Sequence, residues 1–194
     1  MTAVDVHPGI VGSPTTMPHP TPAELIRWTC EADTAAFAQR LAALPGVRNA
    51  FIELHGDLGA GKTTLVRHLL RALGVSGRIK SPTYAVVEPH QVGQGDNALR
   101  IWHFDFYRFN DPREWEDAGF RDLFASPGLK LAEWPEKAAG VLPVADLVLT
   151  LTLDEGQAPD APPSDDLELP PAPRQVHLSA GTPLGHGLLE ALRA

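Results

Sequence analysis

A glycine-rich segment around position 60 is the strongest chemical feature of the sequence. It reads Gly56-Asp57-Leu58-Gly59-Ala60-Gly61-Lys62-Thr63 and matches the Walker A pattern G-x-x-x-x-G-K-[ST]. Its glycines let the backbone approach an anion closely, and a helix starting there points its unpaired N–H groups at the same anion. Lys62 can reach the β- and γ-phosphates of a nucleoside triphosphate, and the Thr63 hydroxyl can ligate Mg2+. The predicted nucleotide contacts are Asp57, Leu58, Gly59, Ala60, Gly61, Lys62, Thr63 and Thr64.

Two carboxylates follow apolar stretches further along the chain. Asp105 follows segment 101–104, and Glu133 follows segment 129–132. A Walker A loop needs an acidic partner for Mg2+ or its water shell, usually at the end of a neighbouring strand. Both residues are therefore candidate catalytic residues and metal ligands, and the sequence leaves open which one contacts the metal directly. A strand-end cap or a salt bridge is the alternative explanation for either.

The tripeptide Ser81-Pro82-Thr83 lies where P-loop proteins often place a mobile sensor of the γ-phosphate. Thr83 offers a hydroxyl to phosphate or metal and is a further catalytic candidate, although a turn before a strand explains the tripeptide equally well. His103 could act as a base, but a histidine on a strand is more often a hydrogen-bonded structural residue. The tryptophans expected in the core, rather than at a substrate, are Trp102, Trp115 and Trp134.

Strand-like and helix-like segments must position these residues. Strands are predicted at 24–29, 50–54, 83–88, 99–106, 129–133, 147–153 and 175–179. Helices are predicted at 31–44, 61–73, 111–124 and 183–192. This alternation is typical of an α/β P-loop NTPase fold with a mostly parallel sheet and helices on both faces. The strand pair within 83–106 predicts an antiparallel portion.

Length and composition favour one folded domain. The 194 residues suit a single domain at 22–194, preceded by a flexible tail at 1–21 and interrupted by an insertion rich in Pro and Asp at 154–174. The formal net charge of −8 disfavours direct binding to nucleic acid or to anionic membranes. A single cysteine, no secretory signal and no apolar run of membrane-spanning length favour a cytoplasmic protein.

Five motifs together resemble one family. They are GDLGAGKTT (56–64), SPTYAVVE (81–88), HFDFYRF (103–109), DAGFRDLF (117–124) and LAEWPEK (131–137). In this order and spacing they resemble the TsaE (YjeE) family, the bacterial ATPase subunit of tRNA threonylcarbamoyladenosine biosynthesis. The resemblance implies a P-loop ATPase, weak alone, that binds ATP and Mg2+. It would support a TsaB/TsaD-type pair that transfers threonylcarbamoyl to the adenosine beside the anticodon, so that tRNA is met only through the complex.

The resemblance also implies roles for individual residues. Lys62 and Thr63 would serve the phosphates and Mg2+, and Glu133 matches a metal-contacting glutamate. Asp105 matches a Walker-B-like aspartate, and Thr83 matches a switch threonine. Nucleotide would order segments 81–88 and 133–136 into a surface that docks on the transferase pair.

Three alternatives remain at this stage. A small-molecule kinase shares the Walker A loop but usually needs an arginine-bearing lid, which the sequence does not show. A GTP switch is disfavoured because the Asn-Lys-x-Asp element is absent. A nucleotide-sensing adaptor would bind ATP, with hydrolysis incidental to its role.

Overall fold

The computed structural model describes residues 24–109, 115, 119–154 and 172–194, apart from the side chain of Asp96. The tail predicted at 1–21 and most of the insertion predicted at 154–174 lie outside the described residues. None of the helices within the described ranges is long and apolar enough to cross a membrane.

The described residues form a seven-stranded sheet with helices around it. The strands are β1 (Glu24–Trp28), β2 (Phe51–His55), β3 (Val87–Val92), β4 (Leu99–Asp105), β5 (Leu129–Glu133), β6 (Leu147–Leu153) and β7 (Arg174–Ala180). The α-helices are α1 (Glu31–Ala43), α2 (Lys62–Ala72), α3 (Phe120–Ala125) and α4 (Pro183–Arg193). Short 3₁₀ helices span Pro45–Asn49, Gly95–Asn97 and Pro135–Ala138.

The sheet has a parallel centre and antiparallel edges. Its strand order is β1-β7-β6-β2-β5-β4-β3. The pairs β6–β2, β2–β5 and β5–β4 are parallel, whereas β3–β4, β6–β7 and β7–β1 are antiparallel. The predicted α/β class, with a parallel sheet and an antiparallel portion, is therefore confirmed. In parallel strands the carboxyl ends share one edge, and that edge is where ligands of such sheets bind.

Alternating side chains of the central strands supply two separate cores. One core joins strand residues such as Ile52 and Leu131 to apolar residues of α1, α2 and α4. The other is aromatic, with Phe51 packing against Phe124 and Phe104 against Phe120 of α3. Successive residues of a strand point to opposite faces, and β4 and β5 are buried at nearly every position, as expected where both faces of the sheet are covered.

Two predicted elements are wrong in their bounds. The strand predicted at 83–88 begins at Val87, because residues up to Val86 form a turn in which the Val86 N–H donates to the Pro82 carbonyl at 2.7 Å. The helix predicted at 111–124 lies partly outside the described residues. Its described end, α3, begins only after Gly119, whose φ of +67° is left-handed and cannot continue a preceding α-helix.

Candidate functional site

The glycine-rich loop connects the end of β2 to the start of α2. Gly56 has a φ of +126°, and a Cβ there would lie 2.1 Å from the Leu151 carbonyl oxygen. Gly61 has a φ of +105° and is the N-cap of α2. Both positions need glycine, because an L-residue would be strained at either φ and would clash at the first. These two glycines allow the loop to fold tightly over the carboxyl edge of the sheet.

Helix α2 is held against the sheet by one apolar side. Leu65, Val66, Leu69 and Leu70 are buried in the first core. The Leu65 N–H donates to the Gly61 carbonyl at 3.0 Å, so the helical hydrogen bonds begin there. The N–H groups of the first turn have no partner within the helix, and they carry the positive end of its dipole. This packing fixes at the loop a helix terminus whose charge suits an anion.

A cavity of about 350 Å³ opens at this helix terminus. It is lined by residues of the loop, of the segment before β3 and of the ends of β4, β5 and β7. The lining residues are Leu58, Gly59, Gly61, Lys62, Thr63, Thr64, Ser81, Thr83, Asp105, Tyr107, Glu133, Trp134 and Arg174.

The buried Lys62 places its ammonium group against the loop. Its Nζ donates to the carbonyls of Gly56 and Asp57, the latter at 2.9 Å, and lies 3.8 Å from the centroid of the Trp134 ring. Burial lowers the pKa of Lys62, opposed chiefly by the nearby charge of Glu133. Within the described residues Lys62 makes no ion pair, so its charge remains available to an incoming anion.

Glu133 joins α2 to the sheet. The Thr63 hydroxyl donates to Oε2 of Glu133 at 2.7 Å, and Nε2 of His103 lies 2.8 Å from Oε1. Glu133 and His103 are both buried, and the other ring nitrogen of His103 has no partner among the described groups. His103 thus orients the carboxylate rather than facing the cavity, in line with the structural role favoured for it.

Asp105 joins the sheet to the segment before β3. Its Oδ2 accepts hydrogen bonds from the hydroxyls of Ser81 and Thr83, the latter at 2.8 Å. Its Oδ1 accepts from the Tyr107 N–H at 3.0 Å. Asp105 and Glu133 are register partners on β4 and β5, so the two candidate carboxylates lie side by side at one edge.

Two residues beside these carboxylates have left-handed backbone conformations. Val86 has a φ of +64° and Trp134 a φ of +57°, and no other non-glycine residue of the described chain has a positive φ. The Val86 carbonyl accepts from the Asp105 N–H at 2.9 Å, and Trp134 directly follows Glu133. Such conformations cost about 1–3 kcal/mol each and cluster at functional sites.

The structure brings most of the predicted site residues into one cavity. Nine of them line it: Leu58, Gly59, Gly61, Lys62, Thr63, Thr64, Thr83, Asp105 and Glu133. Asp57 and Ala60 do not. The Asp57 side chain is exposed and only its carbonyl meets Lys62, whereas the Ala60 side chain is buried in the first core.

Three further lining residues were not among the predicted site residues, and Trp134 was expected in the core. Trp134 packs against the aromatic core as expected, but it is only partly buried and its ring also meets Lys62 at the cavity, whereas Trp102 and Trp115 are buried. Ser81 was visible only as part of the tripeptide before Thr83. Tyr107 packs beside Trp134, with ring centroids 5.0 Å apart. Nothing local to Arg174 in the sequence signals its place in the cavity.

The oxygen donors fit a hard divalent cation. The Thr63 hydroxyl and the carboxylates of Asp105 and Glu133 are the ligand types that Mg2+ prefers. No group of three or more His, Cys, Asp and Glu side chains in the described ranges forms a metal cage. This sparse set suits Mg2+, which is usually held by one or two carboxylates together with substrate phosphates.

A larger cavity, of about 670 Å³, lies at the opposite edge of the sheet. It is lined by residues that precede β2, β4 and β5 and by the first residues of β4, among them Arg48, Asn97 and Arg100. None of its lining residues that the structure describes is a carboxylate, serine, threonine or cysteine. The groups capable of chemistry are therefore concentrated at the carboxyl edge.

The fold and the site define a mixed α/β protein with a glycine-rich loop and a cavity at the carboxyl edge of the parallel part of its sheet. A family model described as "Threonylcarbamoyl adenosine biosynthesis protein TsaE" matches residues 28–160. The chain therefore belongs to the TsaE family of threonylcarbamoyl adenosine biosynthesis proteins.

Individual relatives agree with this family. The chain is 38% identical over 155 residues to the tRNA threonylcarbamoyladenosine biosynthesis protein TsaE of Haemophilus influenzae, covering 80% of this chain and 85% of the relative. It is 35% identical over 118 residues to the protein of the same name from Bacillus subtilis, covering 61% and 66%. A crystal structure of Bacillus subtilis YdiB superposes with a TM-score of 0.65 at 24% identity, covering 90% and 96%, which supports the fold.

Proposed function

We propose that this chain is an ATP-binding and ATP-hydrolysing subunit that supports threonylcarbamoyl transfer to the adenosine beside the anticodon of tRNA. It would act with a TsaB/TsaD-type transferase pair. The observation that carries the ATPase proposal is the meeting of Lys62, Thr63, Asp105 and Glu133 in one cavity at the start of α2. Membership of the TsaE family supports the pathway, because the relatives are named for threonylcarbamoyladenosine biosynthesis.

Different residues of the site would bind the phosphates and the Mg2+ of MgATP. The loop N–H groups and Lys62 hold the phosphates, since they carry the positive charge at the helix terminus. Bound Mg2+ would neutralise the charge that develops on the phosphates. Thr63, already within hydrogen-bond distance of Glu133, supplies a hydroxyl ligand, and Glu133 supports that ligand from the sheet. Phosphoryl transfer of this kind depends chiefly on positioning and electrostatics.

Asp105 links nucleotide to the surface of the protein. Its hydrogen bonds to Ser81 and Thr83 tie the segment before β3 to the end of β4. A γ-phosphate entering beside Thr83 competes for these hydroxyls and reorders the segment, which docks on the transferase pair. Hydrolysis releases it. Because the net charge is −8, the partners rather than this chain would hold the tRNA.

The test is steady-state ATP hydrolysis by the purified chain, with and without its cognate transferase pair. Lys62→Ala serves as the blank. Arg71→Ala is the matched control, because it removes an exposed cation from the other end of the same helix. We expect weak activity that rises with the partners, vanishes in Lys62→Ala and persists in Arg71→Ala.

Other results would replace the proposal. Rapid hydrolysis indifferent to the partners would reject the role as a partner-dependent subunit. Phosphate transfer to a small acceptor would favour a kinase. A hydrolysis-dead variant that still binds ATP and fully supports tRNA modification would favour a nucleotide-sensing adaptor.

A further inference from the structure

Among the described residues that line the cavity, only Arg174 comes from the strands beyond β6. It is the first residue of β7, two strands from β2, and it pairs in register with Leu153 at the end of β6. Because β6 is parallel to β2 and β7 runs back along β6, this position lies at the same edge as the glycine-rich loop. The β6–β7 pair thus carries a guanidinium to the rim of the loop.

The guanidinium is built into the loop. Its Nε donates to the Ala60 carbonyl at 2.8 Å. A Cβ on Gly61 would lie 2.9 Å from that Nε and 3.5 Å from Cζ, so the absence of a side chain at Gly61 makes room for Arg174. The loop and the arginine are therefore shaped to each other.

Most of the N–H donors of Arg174 have no partner within the part of the chain that the structure describes. A guanidinium carries five N–H donors in a planar fork. The hydrogen bond to Ala60 uses one, and the described residues provide no other hydrogen bond or ion pair to Arg174. The side chain lines the cavity, where Lys62 is the other cation. A planar fork with free donors matches the oxygens of a phosphate.

The sheet order indicates which phosphate. Thr63, Asp105 and Glu133 cluster towards β5 and β4, on one side of β2, whereas Arg174 lies beyond β6 on the other side. Thr63, Asp105 and Glu133 would hold Mg2+ on the side of the β- and γ-phosphates, and the Walker A lysine would serve the same two phosphates. We infer that Arg174 binds the α-phosphate of the nucleotide with its terminal amino groups, while its Nε holds the Ala60 carbonyl.

This inference rests on the proposed nucleotide site and is tested by two substitutions of similar length. Arg174→Gln places an amide nitrogen as many bonds from Cα as Nε, so it keeps a donor for the Ala60 carbonyl and removes the terminal amino groups. Arg174→Met removes both. Arg27→Gln is the control, since Arg27 pairs with Asp154 at the end of the same strands and does not line the cavity. Dissociation constants of MgATP, MgADP and Mg-pyrophosphate are measured by calorimetry.

We expect Arg174→Gln to weaken ATP and ADP by the same factor, roughly ten- to a hundredfold, the value of a charge-assisted hydrogen bond. Pyrophosphate binding should stay within about twofold of the parent protein, because Lys62 and Mg2+ would hold pyrophosphate in the β and γ positions. Arg27→Gln leaves all three unchanged.

Two results would overturn the inference. If Arg174→Gln binds ATP and ADP as the parent does and only Arg174→Met is impaired, the residue merely holds the loop. If Arg174→Gln weakens pyrophosphate as much as ADP, Arg174 acts through the loop and not on the α-phosphate. Lys62→Ala distinguishes failure of the proposed nucleotide site from failure of the assignment of Arg174 to the α-phosphate. Unchanged ATP affinity in that variant would reject the nucleotide site itself, whereas its loss beside an unaffected Arg174→Gln rejects only this assignment.

Discussion

Asp105 and Glu133 are neighbours in register on adjacent strands, yet they belong to different regions of the molecule. Both are buried, and each accepts a hydrogen bond from a threonine hydroxyl. The partners of Glu133 lie on α2 and β4, which are regular elements packed on the first core. The partners of Asp105 lie in irregular segments, at 81–83 before β3 and at Tyr107 after β4.

Glu133 is therefore a fixed carboxylate, whereas Asp105 is coupled to the turn before β3. Moving Glu133 would require α2 or the sheet to shift, whereas releasing Asp105 would free only a turn. Val86, with its strained left-handed backbone, lies within that turn. The turn therefore carries a conformational cost in its observed arrangement. We expect Glu133 and its partners to determine the rate of ATP hydrolysis. We expect Asp105 and its partners to change conformation with the bound nucleotide.

The largest expected difference between the two regions is in kcat for ATP hydrolysis when each carboxylate is replaced by its amide. Glu133→Gln should lower kcat for ATP hydrolysis by about 10²–10³, the loss typical of one preorganised electrostatic contact. Asp105→Asn should lower it by about 10–100, as for groups that act through a neighbouring ligand. Steady-state assays across a Mg2+ titration measure both. Equal losses would remove the distinction between the two carboxylates.

The two threonines provide a finer comparison, since each loses one hydrogen bond to a buried carboxylate when changed to valine. Thr63→Val and Thr83→Val should each lower the free energy of unfolding by about 1–3 kcal/mol, measured by urea denaturation. Only Thr63→Val should also abolish Mg2+-dependent hydrolysis. A larger hydrolysis defect in Thr83→Val would reverse the roles of the two regions.

Tryptophan fluorescence should report on the Glu133 side alone. An anion that draws Lys62 from the Trp134 ring changes the surroundings of that indole, whereas Trp102 is buried in the aromatic core. Trp134→Phe should remove most of the emission change on adding MgADP, and Trp102→Phe should retain it. Retention in Trp134→Phe would show that Lys62 stays in place.

The smallest expected effect is a pH dependence that arises at His90, away from both carboxylates. Burial lowers the pKa of His90 on β3 below its usual 6.5, so the folded protein binds fewer protons there than the unfolded chain. The free energy of unfolding should therefore fall as pH drops through 6.5 towards that lowered pKa. His90→Gln should flatten this part of a urea-denaturation series between about pH 5 and 7. An unchanged slope would assign the acid sensitivity to other groups.

Most of the fold and the glycine-rich loop were predictable from local sequence patterns. Features that depend on contacts between residues distant in the chain were not. The Walker A glycines and the strand-end carboxylates are short patterns with direct physical reasons. Arg174 was not predictable, because its place depends on the pairing of β7 with β6 across a long connection. The strand predicted at 83–88 failed because Tyr84, Val86 and Val87 favour strands by composition, whereas Ser81 and Thr83 bond to a carboxylate that the local sequence does not contain.

The β6–β7 pair has one further consequence, for how this chain can change over evolution. Its arms meet where the Asp154 N–H donates to the Pro173 carbonyl at 2.8 Å, so the sheet is already closed before the connection begins. Closing a longer connection costs only about 0.6 kcal/mol for each doubling of its length. Sequence can therefore be gained or lost between these two residues with little penalty to folding. Any added segment starts and ends next to Arg174, at the rim of the glycine-rich loop, where it could acquire a regulatory role.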